Sequence, residues 1–253
     1  MSEQVRLRIL RGEGDAAREV EYTVPVETGW VVLDAVLHVQ AHQAPDLAVR
    51  WNCKAAKCGS CSAEVNGAPK LMCKARLDDY DPREPITVHP LKAFPHMKDL
   101  VTDVSWNYEV NKKIKGFSPR KDADFIYYQD DIDRVQEFRK CIECFLCQDV
   151  CQVLRNHDRH DEFYGPRFLV RVAGLEMHPM DDANRLEALD KDGGIMLCNI
   201  NKCCTQVCPE DIHITDNAII PLKERVIDER YDPFMMLFRK LFGKKSNVAS
   251  STP

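Results

Sequence analysis

The chain lacks most of what would let it act on a substrate by itself. No Gly-rich dinucleotide fingerprint is present: Gly12 and Gly14 form a Gly-x-Gly without a third glycine or a following helix. No Ser-His-Asp arrangement has recognisable context, and the 8 histidines are scattered. His157 and His160 follow a cysteine run and read as loop surface. No apolar run approaches the ~18 residues of a membrane span, and Met1 to Gly14 is charged, so neither a transmembrane helix nor export is expected. There is no basic excess either. Lys and Arg number 35 against 40 Asp and Glu, a net charge of −5, which argues against nucleic acid as a partner.

What is present in quantity is cysteine, 12 in 253 residues. A chain that is not exported meets a reducing cytosol, where a disulfide framework does not persist, so the thiols point to metal binding. The length suggests two domains. We expect an α+β protein: a β-grasp domain over residues 1–100, a helical domain over 101–240, and a basic tail over 241–253.

Val5, Leu7 and Ile9 alternate with arginines, and Val20, Tyr22 and Val24 alternate with polar residues, so each stretch predicts a strand with one buried face. Val32, Ala35, Val36 and Val39 recur at helical spacing, with Thr28 as the expected N-cap and Pro45 ending the helix. Strand, strand, helix and further strand is β-grasp order. Cys53-x4-Cys58-x2-Cys61 has the plant-type spacing for a 2Fe–2S cluster. The fourth ligand follows from Asn66-Gly67, a strong hairpin signal. Folding there pairs 65 with 68 and returns Cys73 to within a residue of Cys61. Ideal pairing would put these two side chains on opposite faces, so the strand must loosen near Cys61. A structural zinc site is the alternative, but zinc usually takes two separated pairs.

Beyond a turn-rich passage, Cys141-x2-Cys144-x2-Cys147-x3-Cys151 is the bacterial ferredoxin run, whose fourth cysteine serves another cluster. Cys198, Cys204 and Cys208-Pro209 repeat it with Asn201 in place of one cysteine. Crossing the ligands assigns Cys141, Cys144, Cys147 and Cys208 to a 4Fe–4S cluster. Cys151, Cys198 and Cys204 then supply three thiolates, and a cubane lacking one ligand becomes 3Fe–4S. Cys203 is left over, either as a small buried residue or as a fourth ligand. Helices are expected at 131–138, from Pro166, at 181–189 and at 217–230, the last burying Ile219, Ile220, Leu222, Val226 and Ile227. Phe234 to Phe242 is apolar and aromatic, followed by Lys244 and Lys245, and is read as either a packed helix or a membrane-proximal contact. Three redox centres in one chain read as an electron wire, which needs a donor and an acceptor.

Arg50-Trp-Asn-Cys53 through Cys61, Asn66-Gly67 and Leu71-Met-Cys73 resemble the N-terminal domain of the iron–sulfur subunit of succinate dehydrogenase and fumarate reductase. The two later cysteine runs resemble its C-terminal domain, and Pro90-Leu91 with Lys98-Asp99-Leu100 resembles its linker. The resemblance covers about residues 5 to 230 and all the assigned ligand positions. It implies docking on a flavoprotein subunit carrying FAD and on a membrane anchor, at the cytoplasmic side of a bacterial inner membrane. It implies that electrons from succinate pass through the 2Fe–2S, 4Fe–4S and 3Fe–4S clusters to a quinone, within the tricarboxylic acid cycle. Fumarate reduction is the reverse alternative. Gln152 and Asn199 stand where better-known members carry Pro and His, so no quinone ligands are carried over. That pattern is more similar to members paired with a di-haem cytochrome b anchor that use menaquinone. A glycolate-oxidase-like iron–sulfur subunit would lack the motif at Cys53 to Cys73.

Overall fold

The structure is a computed structural model that describes residues 4–121, 126–234 and 237. β1 (Gln4–Arg11) pairs antiparallel with β2 (Arg18–Pro25) along its whole length, from Gln4 opposite Pro25 to Arg11 opposite Arg18. The alternation in β1 buries Val5, Leu7 and Ile9 on one face. α1 (Val32–His42) follows. Thr28 is not its cap. Gly29, at φ +86°, turns the chain first, and the helix starts only at Val32. Asp34 then accepts the Val31 N–H at 3.2 Å, satisfying a donor at the helix start from inside the first turn.

β3 (Ser62–Val65) and β4 (Ala68–Leu71) form the hairpin, with Asn66 and Gly67 both left-handed as a two-residue turn of this kind requires. β5 (Ile86–His89) runs parallel to β1 and antiparallel to β3, giving the order β2-β1-β5-β3-β4. Leu33, Val36 and Val39 of α1 share one fully buried cluster with Leu7, Ile9, Val65 and Val88 of the sheet. Each such side chain contributes about 1.5–3 kcal/mol by leaving water. A small ribbon of β6 (His96–Lys98) and β7 (Val101–Thr102) closes this half. Between its strands the buried Asp99 accepts from Gly12 N at 2.7 Å, Ala48 N at 2.8 Å and Arg11 Nε at 3.1 Å. One carboxylate thereby ties the ribbon, the β1–β2 turn and the segment after α1.

The second half is helical: α2 (Ser105–Lys113), α3 (Gln129–Gln136), the one-turn α4 (Leu146–Asp149) and α5 (Gln152–Arg155), α6 (Pro166–Glu176), α7 (Leu186–Lys191), the one-turn α8 (Cys203–Gln206) and α9 (Ile220–Arg230). Val110, Val135, Phe168, Leu169, Val172, Leu189, Leu222 and Val226 form its core. Pro166 takes the first position of α6, where its missing N–H leaves nothing unsatisfied.

Four expectations are corrected here. The stretch 181–185 is not helical, because the Asp181 carboxylate captures the backbone N–H groups of Ser118 and Ala183 together with the Arg185 guanidinium. A carboxylate that bonds nearby backbone competes with helix formation. The closing helix begins as a π-turn over Ile214–Ile219, with Ile220 N–H reaching back to Thr215 O. Pro221, which has no N–H, follows at once, and the widened turn carries the chain past it. Ile227, expected on the buried face, is 46% exposed. His160 lies in a turn, as expected, but is half-buried and not open surface: its ring packs edge-on to Trp106 at 4.7 Å, and Nδ1 lies 2.8 Å from Asp158. The expectations placed on Phe234 to Phe242 and on 241–253 fall outside the described residues, except for Phe234 and Leu237, both exposed.

Candidate metal centres

The loop from Cys53 to Cys61 is wound tightly, with Lys54, Ala56 and Gly59 at φ +54°, +55° and +70°. That winding aims N–H groups inward. Ala55 and Lys57 N–H donate to Cys53 Sγ at 3.3 and 3.4 Å, Ala56 N–H to Cys73 Sγ at 3.3 Å, and Cys53 N–H to Cys58 Sγ at 3.5 Å. Donors so arranged form a concavity for negative charge. Burial raises the Cys58 thiol, but hydrogen bonds from Cys53 and Ser60 outweigh it and bring it down to about 6.

The geometric conflict at Cys61 is resolved by the ends of the strands. β3 begins at Ser62 and β4 ends at Leu71, with Met72 N–H to Cys61 O at 3.0 Å as the last rung. Cys61 and Cys73 thus lie just outside the pleat, where alternation no longer governs, and their thiols meet. Burial, with Cys73 alongside, pushes the Cys61 thiol up to about 12.

In the helical half, Cys141, Cys144, Cys147 and Cys208 line one cavity, together with Arg167 and Glu210. Cys151, Cys198 and Cys204 line another, together with Cys203, Gln152, Asn199 and Asn201. The internal repeat is visible in the backbone. Glu143 and Phe145 are left-handed at φ +56° and +63°, two and four residues after Cys141. Ile200 and Lys202 are left-handed at φ +60° and +63°, two and four residues after Cys198. Each pair runs directly into a one-turn helix, α4 or α8. Non-glycine residues seldom adopt this conformation, and its double recurrence at matched offsets marks two anion-receiving loops. Burial pushes the thiols of Cys144 and Cys204 up to about 12 and that of Cys151 to about 11, and it raises that of Cys147 as well. Thiols so raised are neutral when unliganded and need cationic iron to become thiolates.

Cys203 lines the second cavity but turns its Sγ to Asn201 Oδ1 at 2.8 Å and Val150 O at 3.4 Å. It is half-buried, not a core residue. Asn199 and Asn201 both donate to Gln152 Oε1, at 2.9 and 3.4 Å, so three carboxamides close the side of the cavity where the repeat lacks a cysteine. Among the described residues no three His, Cys, Asp or Glu side chains converge closely enough to hold a single metal ion. Thiols spread around cavities fit polynuclear clusters better than a closed tetrahedral zinc site.

The first loop and the first helical cavity are in contact. A Cβ on Gly59 would lie 2.7 Å from Cys144 Cα, and Ser62 Oγ is 2.9 Å from Gly59 O and 2.8 Å from Cys144 O. Sequence reasoning missed a second set of contacts across this seam. Glu64 of β3 and Asp149 of α4 are fully buried. Arg155 NH1 lies 2.5 Å from Glu64 and 3.5 Å from Asp149, Lys92 Nζ lies 3.1 Å from Glu64, and Ala93 N–H donates to Asp149 at 2.9 Å. Burial first, then the neighbouring Glu64, push the Asp149 carboxyl well above the usual range. A charged residue between two cysteines of the run was the available signal. Its partner, 85 positions earlier on a strand, was not visible.

Fold and sites together define a two-domain iron–sulfur protein that transfers electrons. Residues 6–109 match the 2Fe-2S iron-sulfur cluster binding domain family, and residues 137–212 match the 4Fe-4S dicluster domain family. A chain of the Mycobacterium smegmatis Sdh1 complex in its apo form superposes with a TM-score of 0.88 at 55% identity, over 92% of this chain and 99% of that one. The succinate dehydrogenase iron-sulfur subunit of Bacillus subtilis is 29% identical over 96% of this chain and 98% of its own. The fumarate reductase iron-sulfur subunit of Mycobacterium tuberculosis is 30% identical over 76% of this chain and 79% of its own. The chain also matches a longer iron-sulfur protein of Methanococcus maripaludis, of which it spans 42%. The chain belongs to the family of iron–sulfur subunits of succinate dehydrogenase and fumarate reductase. No helix among the described residues is long and apolar enough to cross a membrane.

Proposed function

We propose that this chain conducts electrons through three clusters in line, from the FAD of a flavoprotein subunit to a quinone or haem in a membrane anchor, in the direction of succinate oxidation. Cys53, Cys58, Cys61 and Cys73 hold the 2Fe–2S cluster. Cys141, Cys144, Cys147 and Cys208 hold the 4Fe–4S cluster, and Cys151, Cys198 and Cys204 hold the 3Fe–4S cluster. When bound, the clusters supply one-electron redox centres. The protein's part is to hold them, space them and exclude water.

The observation that carries this reading is the contiguity of the three thiol sets. Gly59 of the first loop packs on Cys144 of the second set, and α4, which carries Cys147 of that set, packs against α8, which carries Cys204 of the third. Cys53, at the other end of the line, is exposed, as contact with an electron donor requires. The Cys203 thiol is engaged by Asn201, which supports three thiolates at the last cluster. The carboxamides of Gln152, Asn199 and Asn201 bond to one another, which supports keeping them out of quinone binding.

Purification of the native complex tests the reading. Its subunits, haem spectrum, and succinate and fumarate activities identify partners and direction. A faster fumarate reaction at physiological potentials would reverse the direction. Electron paramagnetic resonance of the air-oxidised complex should show a 3Fe-type signal, and its absence would remove the three-thiolate assignment.

A further inference from the structure

We propose that Arg167 sets the redox potential of the middle cluster by presenting its Nε–H and its charge to the cavity lined by Cys141, Cys144, Cys147 and Cys208. The proposal rests on the ligand reading above. Arg167 stands in the first turn of α6 and lines this cavity, yet its side chain is only 6% exposed. Its position is fixed on three sides. Its backbone N–H donates to Gln148 Oε1 at 3.2 Å, its guanidinium lies 5.3 Å from the centre of the Phe168 ring, and NH2 pairs with Glu143. Nε is buried and has no hydrogen-bond partner. A buried guanidinium nitrogen is rarely left unpaired, because desolvating it without a partner is costly. The guanidinium is always charged, so it cannot escape that cost by losing a proton.

The alternative is a purely structural ion pair with Glu143. That pair accounts for NH2 but leaves Nε unused. Glu143 is itself 52% exposed, so water weakens its hold on the arginine charge. Glu210, the carboxylate that does line the cavity, lies 3.3 Å from Lys57 Nζ. A thiolate-ligated cluster is an anion that gains a further negative charge on reduction. A buried donor and positive charge beside it favour the reduced form and raise the potential.

The test is a redox titration of the whole complex, following all three clusters by electron paramagnetic resonance, in Arg167→Gln, Arg167→Lys, Glu143→Gln and Cys144→Ala. In Arg167→Gln the one-electron reduction constant of the middle cluster should fall about tenfold, or about 59 mV, with the other two clusters unmoved. Arg167→Lys, which keeps the charge but not the Nε–H, should fall between Arg167→Gln and the native protein. Glu143→Gln should shift the potential the other way, and it carries the test if Arg167→Gln does not assemble. Middle-cluster reduction constants within twofold of native in the assembled variants overturn the inference. Cys144→Ala separates the two levels of the argument. A middle-cluster signal that survives it overturns the ligand reading and this inference with it. Loss of the signal there, with unmoved potentials in the Arg167 and Glu143 variants, overturns the inference alone.

Discussion

Gly59→Ala should damage the seam between the two domains more than an ordinary glycine substitution. Two separable effects act at this position. Gly59 has φ +70°, and a left-handed backbone costs a non-glycine residue about 1–2 kcal/mol. The added Cβ would also lie 2.7 Å from Cys144 Cα, 2.9 Å from Cys144 Cβ and 3.0 Å from Cys144 N, where ordinary contact begins at 3.4 Å. The obstacle is mostly backbone, so the two loops must part by several tenths of an ångström. Overpacking of this kind adds about 1–3 kcal/mol. Gly67→Ala is the control, since Gly67 has φ +75° but no atom within 4 Å of its would-be Cβ. Both variants should lose the backbone contribution, and only Gly59→Ala should lose the second. Chemical denaturation of the cluster-loaded complex gives the difference, and the magnetic interaction between the first two clusters reports whether they have moved apart. Equal losses for the two alanines, within about 0.5 kcal/mol, would refute the argument that this contact sets the spacing.

Three further substitutions probe the scaffold. Arg155→Met should cost about 3–5 kcal/mol, because it removes the cation that faces the buried Glu64 and the Asp149 carboxyl beside it. Lys92, 3.1 Å from Glu64, should hold the loss near the lower end, and a denaturation midpoint close to the native one would contradict this. Asp99→Ala removes the acceptor for the N–H groups of Gly12 and Ala48 and the partner of Arg11. At about 1–3 kcal/mol for each buried donor left unmade, protease susceptibility near residues 12 and 48 should rise, and unchanged cleavage there would count against the tie. Burial tends to raise Glu137, but hydrogen bonds from His213 N–H, the Asn217 amide and the His213 ring leave it below its ordinary value of 4.5. A depressed carboxylate contributes stability above its unfolded value that is lost as pH falls through the folded one. Glu137→Gln should therefore lower stability at neutral pH and flatten the loss below about pH 4.5. Parallel acid-unfolding curves for variant and native protein would exclude the linkage.

Elements governed by local pattern were legible in the sequence. Asn66-Gly67 dictated the hairpin and its register, and the period-2 alternation of β1 gave its buried face. The cysteine spacings proposed three thiol sets; two of them line the two helical cavities, and the first is gathered around its own loop by hydrogen bonds to Cys53, Cys58 and Cys73. What escaped depends on partners distant in sequence or on one side chain overriding propensity. Thr28 is a good cap by residue type, but Gly29 turns the chain before the helix, and Asp34 supplies the carboxylate. The span 181–189 suggests a helix through Ala183, Leu186 and Leu189, yet Asp181 bonds to Ser118, far away in sequence, and the helix starts only at Leu186. The ends of β3 and β4 decide how Cys61 and Cys73 meet, and strand ends are set by the loop wound beside them, not by the strand residues. The buried Glu64, Asp149 and Arg155 could not be paired from one sequence, because their meeting presupposes that the two domains are docked.

The two helical cavities share their walls in a way that bears on how the protein is made. Each takes thiols from the segment around Cys141 to Cys151 and from the segment around Cys198 to Cys208. On a growing chain the earlier segment leaves the ribosome with neither cavity closed. The first loop, with Cys73, is complete far sooner. The order of synthesis thus separates one early site from two that become whole only once the segment from Cys198 to Cys208 has been made.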